Sequence, residues 1–472
     1  MAVADPLAAL RALAGLPHAF LLHASFPGAG ARWSLFGADP FAVYRGGDWN
    51  AALDAWRAHA AHGTAGSWDA ADTDAPHAPF TGGAVGYWSY DFGRRFERLP
   101  AIARDDLALP DFVMGLFDVV GAYEHASGRA WLFATGLPLT GDAARERARS
   151  RLDAFARRIE SAPPAPTLAR TDSGGSPRVA CSTFSADAYR RAVESVRDHI
   201  RSGDIFQANL SQRWSVPLDP SSQAPSALGR SLFESLAAVS PAPFAAFFDA
   251  GDHAIASASP ELFLDVRGRR VVTRPIKGTR PRGRCKAEDD GLAAELMASA
   301  KDRAENVMIV DVLRNDLGRV CQAGTVEVPE LCALEAFPQV FHLTSTVTGT
   351  LRDGVDAFDL LQSSFPGGSI TGAPKIRAME ILESIEPVRR HIYTGSIGYA
   401  DWNGSAAWNI AIRTALVTPR ALHFAAGGGI TADSIPAAEY LETLHKAEGV
   451  RLALERVLGR IQLDETPSGT KA

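Results

Sequence analysis

Two segments in the second half of the chain alternate between apolar and polar residues, and this pattern most restricts how the sequence can fold. In IFQANLSQRW the alternation sets three apolar positions against three polar ones: Phe206, Ala208 and Leu210 against Gln207, Asn209 and Ser211. In AAWNIAIRTAL the apolar set is opposed by two polar positions: Trp408, Ile410 and Ile412 against Asn409 and Arg413. A period of two predicts β-strands with one buried face, whose polar face either lines a pocket or meets solvent.

Helical periodicity separates these strands without the regular strand-helix order of a doubly wound sheet, so we predict an α+β fold. One helix is predicted over 143–159, and Ser185 opens another that Gly203 ends. Residues 161–177 (SAPPAPTLARTDSGGSP) lack apolar periodicity and predict a linker. We therefore distinguish an N-terminal region, 1–160, from a region at 178–460 that carries most of the polar clusters.

Composition excludes several classes of protein. The chain of 472 residues has a net charge of −6, so no general attraction to nucleic acid or anionic membranes is expected. No apolar run approaches the ~18 residues that a membrane helix needs, and the first residues do not resemble a signal peptide. Four widely spaced cysteines fit a reduced, cytoplasmic protein and offer no zinc motif.

Lys277, in PIKGTRPRG, is a candidate nucleophile. Four arginines lie close to it in the sequence: Arg274, Arg280, Arg282 and Arg284. Partial burial and neighbouring positive charge both lower the pKa of a lysine, which frees its amine to react. Glu261 follows a predicted strand nearby. The alternative is a solvated basic loop without chemistry.

Two pairs of acidic residues are spaced three apart on predicted helices. Asp302 and Glu305 form one pair, and Glu439 and Glu442 form the other. Carboxylates from two helices that face one cavity could hold Mg²⁺, which prefers oxygen ligands. The alternative is surface charge neutralised by lysines such as Lys301 or Lys446.

Two glycine-rich segments do not match nucleotide-binding motifs. FPGGSITGAPK lacks the spacing of a phosphate loop, and AAGGGITADS is not a dinucleotide fingerprint. Consecutive glycines can still expose backbone N–H groups to an anion. Carboxylate binding is the better hypothesis for the second segment.

Taken together, these segments resemble the chorismate-utilising enzymes. The motifs that carry the resemblance cover about 178–450 in family order: SPELF, PIKGTRPRG, KDRAENVMIVDVLRNDLGRV, FHLTSTVTGTL, FPGGSITGAPKIRAMEIL, YTGSIGYAD, WNIAIRT and GGGITADSIPAAEYLET. Their joint occurrence is far more specific than any one of them. The resemblance implies a single globule, a sandwich of two large β-sheets flanked by helices, rather than two independent domains.

The resemblance also assigns roles in catalysis and metal binding. Glu261 matches the family's general acid, which protonates the departing hydroxyl at ring position C4. Glu305 and Glu442 match ligands of Mg²⁺, which would grip the ring carboxylate of chorismate. Asp302 and Glu439 lie beside them in supporting positions, and Asp302 departs from the glutamate that many relatives carry.

Further positions match substrate contacts in the family. Tyr393 and Arg413 match residues that hold the enolpyruvyl carboxylate, the arginine as a bidentate fork. Gly428 and Gly429 match backbone donors to a carboxylate. His342 matches a histidine near the reacting ring, although a structural core histidine is the alternative.

Two positions choose among the reactions of the family. Lys277 lies where aminodeoxychorismate synthases carry a lysine that attacks C2 of the ring, whereas anthranilate and isochorismate synthases tend to carry alanine. Gln207 lies where isochorismate and salicylate synthases carry a lysine that activates water. Since glutamine cannot deprotonate water, the expected reaction is Mg²⁺-dependent amination of chorismate at C4.

The resemblance further implies a separate glutamine amidotransferase subunit as the ammonia source, because no glutaminase motif is found in this chain. A tryptophan pocket near Ser34, Phe206, Asn209 and Pro241 is a further expectation. Two alternatives stay open. One is anthranilate synthase component I, which would also eliminate pyruvate. The other is a catalytically silent protein that retains the fold.

Overall fold

The computed structural model describes residues 5–26, 32–63, 78–161, 176–219, 223–337 and 340–464. Within these ranges the strands, in chain order, are β1 (Phe20–His23), β2 (Trp33–Gly37), β3 (Ala42–Arg45), β4 (Gly83–Trp88), β5 (Phe112–Phe117), β6 (Val119–Glu124), β7 (Arg129–Ala134), β8 (Arg178–Ser182), β9 (Gln207–Pro217), β10 (Phe244–Asp249), β11 (Ala254–Ser259), β12 (Leu262–Arg267), β13 (Arg270–Arg274), β14 (Ile276–Pro281), β15 (Glu327–Ala336), β16 (Val340–Thr350), β17 (Gly372–Ala373), β18 (Ser396–Asp401), β19 (Ala406–Asn409), β20 (Thr414–Val417), β21 (Ala421–Ile430) and β22 (Ile461–Asp464). The α-helices are α1 (Pro6–Ala12), α2 (Trp49–Gly63), α3 (Gly141–Glu160), α4 (Ala186–Arg201), α5 (Pro225–Val239), α6 (Lys286–Ala298), α7 (Ala300–Gly318), α8 (Ala357–Ser364), α9 (Lys375–Ile385) and α10 (Pro436–Leu458). Short 3₁₀ turns occur at Gly46–Asp48, Tyr90–Arg95 and Gly368–Ile370.

The strands build two large, mostly antiparallel sheets. The twelve-stranded sheet has the order β22-β8-β9-β21-β20-β11-β10-β1-β2-β6-β7, and β17 also pairs with β9. The ten-stranded sheet has the order β14-β16-β13-β12-β19-β18-β4-β5-β3, and β15 also pairs with β16. Both sheets combine strands from 1–160 with strands from 178–460.

Hydrophobic residues fill three layers around these sheets. Side chains of both sheets, including Phe20, Phe248 and Tyr399, meet in a core between them. Leu232 of α5 and Leu454 of α10 belong to a core on the outer face of the twelve-stranded sheet. Buried hydrophobic residues of α2, α7 and α8 form a third core against the ten-stranded sheet. The predicted α+β sandwich of two sheets flanked by helices is therefore confirmed.

The two predicted helices are confirmed as α3 and α4, and the Ser185 side chain caps α4 by accepting from the N–H of Ala188. Of the predicted linker, residues 162–175 lie outside the described residues. No helix in the described ranges is both long enough and apolar enough to cross a membrane.

The segment AAWNIAIRTAL is not one strand, as its alternation predicted. It begins as β19 in the ten-stranded sheet and ends as β20 in the twelve-stranded sheet. The chain crosses between the sheets over 410–413, where Arg413 has a left-handed φ of 50°. Periodicity could not reveal this crossing, because the apolar positions are buried in both sheets.

The polar face of β9 points inward rather than to solvent. Gln207, Asn209 and Ser211 are 1%, 7% and 6% exposed, whereas Phe206 is 71% exposed just before the strand. The glycines of AAGGGI are also not a loop, since β21 runs through them and pairs with β9 in full register. Together β9 and β21 present polar side chains beside glycines inside the protein.

Candidate active site

Lys277 lies on β14. It pairs with Leu343 of β16, and its ammonium donates a hydrogen bond of 3.0 Å to the backbone oxygen of Ser369. Burial lowers the pKa of Lys277, and the nearby ammonium of Lys446 lowers it further, against the opposing effect of carboxylates such as Glu305. The amine is therefore easier to deprotonate than an ordinary lysine.

The arginines near Lys277 are not the cause of this shift. Each one is paired with a carboxylate: Arg274 with Glu335, Arg280 with Glu295, Arg282 with Asp289 and Arg284 with Glu288. Their charges are therefore largely neutralised locally. The predicted direction of the shift and its attribution to burial agree with the structure, but the attribution to the neighbouring arginines does not.

Glu261 lies in the short connection between β11 and β12 and is 4% exposed. Its main chain is fixed by Ile410, whose N–H donates to the Glu261 carbonyl at 3.1 Å. Burial raises the pKa of Glu261 to about 6, although the Ser369 hydroxyl and the charge of Lys277 partly oppose the rise. A pKa of about 6 leaves a fraction of this carboxyl protonated near neutral pH, which suits a general acid.

Three glutamates meet at the glycines of β21. A Cβ on Gly428 would lie 3.2 Å from Oε2 of Glu439 and 3.5 Å from Oε1 of Glu442. A Cβ on Gly429 would lie 3.3 Å from Oε2 of Glu305. The lack of side chains on β21 thus leaves a small space bounded by carboxylates from α7 and α10.

Two lysines neutralise these carboxylates. The Lys301 ammonium lies 3.9 Å from Oε1 of Glu305 and 3.4 Å from Oε1 of Glu439. Lys446 lies 2.6 Å from Oε1 of Glu442, and although burial opposes the effect, this ammonium lowers the pKa of Glu442. Burial raises the pKa of Glu305. These carboxylates would therefore gain from a divalent cation.

The carboxylates beside the glycines of β21 fit a Mg²⁺ site whose remaining ligands come from water and substrate. Within the described ranges, no three histidine, cysteine, aspartate or glutamate side chains converge as a metal site of their own. Mg²⁺ usually takes one or two protein carboxylates and fills its shell with water and an anionic substrate group. Glu305 and Glu442 meet that requirement beside the glycine space. Asp302 instead faces Arg280, at 3.4 Å.

Arg413 and Tyr393 flank the crossing between the sheets. Hydrogen bonds of 2.8 Å in both directions join Ala411 to Thr394 and Gly395, next to Tyr393. In the described part of the chain, no hydrogen bond or ion pair engages the Arg413 guanidinium, and burial lowers its pKa. A partly buried guanidinium without a counter-ion is a ready site for a carboxylate.

His342 and Gln207 border the same region. Nδ1 of His342 is 2.9 Å from the Thr279 hydroxyl, while burial first and then the Arg413 charge lower the pKa of His342 to about 4. The Gln207 amide contacts Gly429, and its Oε1 is buried without a hydrogen-bond partner among the described residues. His342 is therefore neutral near pH 7, and Gln207 offers a free acceptor.

The four residues predicted as a tryptophan pocket do not lie together. Phe206 and Asn209 belong to the start of β9, whereas Ser34 lies on β2, six strands away in the same sheet. At ~4.8 Å per strand, that separation is about 29 Å. Pro241 precedes β10, near the β1 end of the sheet.

A cavity of about 460 Å³ lies between the sheets near Ser34 and Pro241. Its walls include His23 and Trp33 from one sheet and Tyr399 and Trp408 from the other. The Ser34 hydroxyl lies 2.8 Å from Nδ1 of His23. None of the four predicted residues is among those that line this cavity, and tryptophan binding stays a prediction.

Sequence reasoning overlooked Ser369, which contacts both Lys277 and Glu261. It lies in FPGGSITGAPK, a family motif in which the sequence assigns no role to the serine. Lys301 and Lys446 were treated only as signs of ordinary surface charge. The spacing of four between Lys301 and Glu305, and between Glu442 and Lys446, was a signal for the two lysines. The position of Ser369 beside Lys277 exists only in space.

Comparison with known proteins gives consistent matches. The family described as chorismate binding enzyme matches residues 28–451. Aminodeoxychorismate synthase component 1 of Bacillus subtilis is 38% identical over 442 residues, 90% of each chain. Anthranilate synthase component 1 of Thermus thermophilus is 44% identical over 377 residues, 80% of this chain and 78% of its own. The crystal structure of anthranilate synthase component I from Streptococcus pneumoniae superposes with a TM-score of 0.74 at 29% identity, covering 90% of this chain and 93% of its own.

Proposed function

This chain belongs to the family of chorismate binding enzymes, and from that premise we propose that it aminates chorismate at C4 to give 4-amino-4-deoxychorismate. The observation that carries the proposal is the joint position of Lys277 and Glu261 around Ser369. The pairing supplies an amine with a lowered pKa beside a carboxyl with a raised one. The likeness to the Bacillus subtilis protein supports the same reaction.

In the proposed first step, the neutral amine of Lys277 attacks C2 of the ring. The ring double bonds shift, the bond from C4 to its hydroxyl breaks, and Glu261 gives its proton to the departing oxygen, which leaves as water. Ammonia then attacks C4, the double bonds return, and the bond from C2 to Lys277 breaks. The enolpyruvyl ether stays intact, and the net exchange is water for ammonia.

Binding of chorismate needs partners for two carboxylates. We assign the enolpyruvyl carboxylate to Arg413 and Tyr393, because the guanidinium has no counter-ion among the described residues. We assign the ring carboxylate to the space beside Gly428 and Gly429. Mg²⁺ held by Glu305 and Glu442 would supply positive charge to that carboxylate, with Glu439 as a neighbouring support.

Ammonia is proposed to come from a separate glutamine amidotransferase subunit. Several relatives are named as component 1 of their synthases, which supports a second component here. Gln207 cannot itself act as a base towards water, and its Oε1 has no hydrogen-bond partner among the described residues. The product would serve 4-aminobenzoate and folate synthesis in the cytoplasm, and none of the four cysteines, all in the described ranges, forms a disulfide.

Anthranilate synthesis is the second candidate, because the Thermus thermophilus relative named for it is 44% identical. That reaction places the amino group at C2 and releases pyruvate. In this chain Lys277 lies on β14 close to Glu261, so its amine would itself form the bond to C2 of the ring. Lys277 therefore favours amination at C4.

The deciding experiment incubates the purified protein with chorismate, Mg²⁺ and an ammonium salt and separates the products by mass spectrometry. We expect 4-amino-4-deoxychorismate with the pyruvyl group retained. Anthranilate with free pyruvate would replace our assignment by the second candidate. Unchanged chorismate would favour a catalytically silent binding protein.

A further inference from the structure

Ser369 lies between the two groups that the proposed reaction depends on. Its backbone oxygen accepts a hydrogen bond of 3.0 Å from the Lys277 ammonium. Its hydroxyl lies beside the Glu261 carboxyl, where donation to that group lowers the pKa of Glu261. The residue is 7% exposed, so solvent does not compete strongly for either contact. One residue therefore contacts both groups, one with its main chain and one with its side chain.

The turn that carries Ser369 is tightly packed. A Cβ on Gly367 would lie 2.6 Å from Cδ1 of Ile410, and one on Gly368 would lie 2.8 Å from Cγ1 of Val312. Only glycine lets the turn approach both the sheet crossing and α7 this closely. The position of Ser369 is thus set by packing on two sides.

Hydrogen bonds fix the other end of the same turn. The Arg390 guanidinium donates to the Ile370 oxygen at 3.0 Å, and the Asn209 N–H donates to the Thr371 oxygen at 2.8 Å. The Thr371 hydroxyl donates back to the Gly367 oxygen at 3.0 Å. Because Arg390 is itself paired with Glu386, the turn is attached to a buried ionic network.

We propose that Ser369 is a positioning residue that holds the proton donor Glu261 and the nucleophile Lys277 in one fixed relative geometry. The inference rests on the roles assigned to these two residues in the proposed function. Its own content is that the Ser369 hydroxyl orients the Glu261 carboxyl, while the rigid turn directs the Lys277 amine toward the same substrate. Ser369 is not required to contact the substrate.

Loss of the hydroxyl has a defined electrostatic consequence. A hydrogen bond donated to a carboxylate stabilises its ionised form, so removing it raises the pKa of Glu261 above its value of about 6. A hydrogen bond to a charged group corresponds to a shift of about one pH unit or more. Ser369→Thr keeps a hydroxyl, whereas Ser369→Ala removes it.

Ser364 provides a matched control. It is a buried serine at the end of α8, five positions before Ser369, and its hydroxyl has no hydrogen-bond partner in the described part of the chain. Ser364→Ala therefore removes a buried hydroxyl from the same segment without touching Lys277 or Glu261. Any effect of general loosening of the segment should occur in both alanine variants.

The test measures ionisation of Glu261 directly and then catalysis. The carboxyl stretching band of Glu261, identified by its loss in Glu261→Gln, is titrated by infrared difference spectroscopy in each variant. The pH profile of kcat/KM is then measured with chorismate at a constant concentration of free ammonia. Chorismate dissociation constants are measured by calorimetry.

We expect the band of Ser369→Ala to titrate about one pH unit higher than in the parent, with the limb near pH 6 of the activity profile displaced equally. We expect kcat to fall about tenfold at neutral pH, while chorismate affinity stays within about twofold because Arg413 and Tyr393 are untouched. Ser369→Thr and Ser364→Ala should resemble the parent.

An unshifted band in Ser369→Ala, or an equal shift in Ser364→Ala, would overturn the role of Ser369. The infrared titration does not need turnover. A parent protein that fails to aminate chorismate would therefore refute the proposed function while the titration still decides whether Ser369 holds Glu261. If Ser369→Ala does not fold, parental titration and kcat in Ser369→Cys, which has only a weak donor, would count equally against the proposal.

Discussion

Replacing Arg413 by methionine should weaken chorismate binding without weakening the fold. The free protein offers this guanidinium no ion pair or hydrogen bond within the described residues, and burial already lowers its pKa. The free-energy cost of desolvating the guanidinium is therefore already present before substrate binds. Arg413→Met removes a buried charge and leaves the left-handed backbone at 413 in place, and it breaks no hydrogen bond or ion pair within the described residues.

The expected magnitude follows from the type of contact that is lost. Truncating one member of a buried hydrogen-bonded charge pair costs about 2 to 5 kcal/mol, which raises the dissociation constant about 30-fold or more. The free energy of unfolding should stay within about 1 kcal/mol of the parent value, or rise. Calorimetric titration with chorismate and denaturant unfolding measure the two quantities.

Arg390 is the matched control, because it is a buried arginine whose guanidinium already has its partners inside the protein. It binds Glu386 and the backbone oxygens of Asn209 and Ile370. Arg390→Met leaves Glu386 buried without its partner and should cost about 3 to 5 kcal/mol of stability. Parental chorismate affinity in Arg413→Met, or a stability loss equal to that of Arg390→Met, would refute the assignment.

Three further predictions concern other residues of the site. Lys277→Ala should bind chorismate but aminate it slowly in single-turnover mass analysis. Lys277→Arg should aminate it more slowly still, because arginine stays charged. Amination by these variants at the parental rate would exclude covalent catalysis. Glu442→Ala should lose turnover and calorimetric Mg²⁺ binding, with little change in melting temperature because its side chain is 45% exposed. Glu448→Ala on the same helix should bind Mg²⁺ normally. An active Glu442→Ala protein would exclude the metal role. Burial lowers the pKa of His342 from its ordinary value of 6.5 to about 4, so the unfolded chain binds more protons than the folded one. His342 therefore costs stability progressively as pH falls from 6.5 to 4, up to about 3 kcal/mol. Denaturant unfolding of His342→Gln should be less sensitive to pH over that window, and equal sensitivity would contradict the burial argument.

The sequence was sufficient to predict the general fold because its periodicities are local. Alternation marked β9, and the spacing of apolar residues with a serine cap marked α4. The division of AAWNIAIRTAL between two sheets was not predictable in the same way. Both β19 and β20 are buried, so nothing in their apolar pattern distinguishes one sheet from the other.

The candidate site was predictable only as separate motifs. Residue chemistry and spacing drew attention to Lys277, Glu261 and the paired glutamates. Their environment was not in the sequence: the arginines beside Lys277 point to other carboxylates, and Lys446, distant along the chain, affects its pKa instead. Ser369 escaped notice because its role depends on a main-chain oxygen, which every residue possesses.

The pairing of β9 with β21 has a consequence for folding during synthesis on the ribosome. Pro217 of β9 pairs with Ala421 of β21, so the ladder that carries Gln207 and Gly429 joins strands about 200 positions apart. At 5 to 20 residues per second, translation needs roughly 10 to 40 s between the two strands. During that interval β9 has an unpaired edge with inward-facing polar groups, and neither carboxylate of α10 exists. The nascent chain therefore depends on other contacts, or on a chaperone, to keep this edge from pairing with the wrong strand.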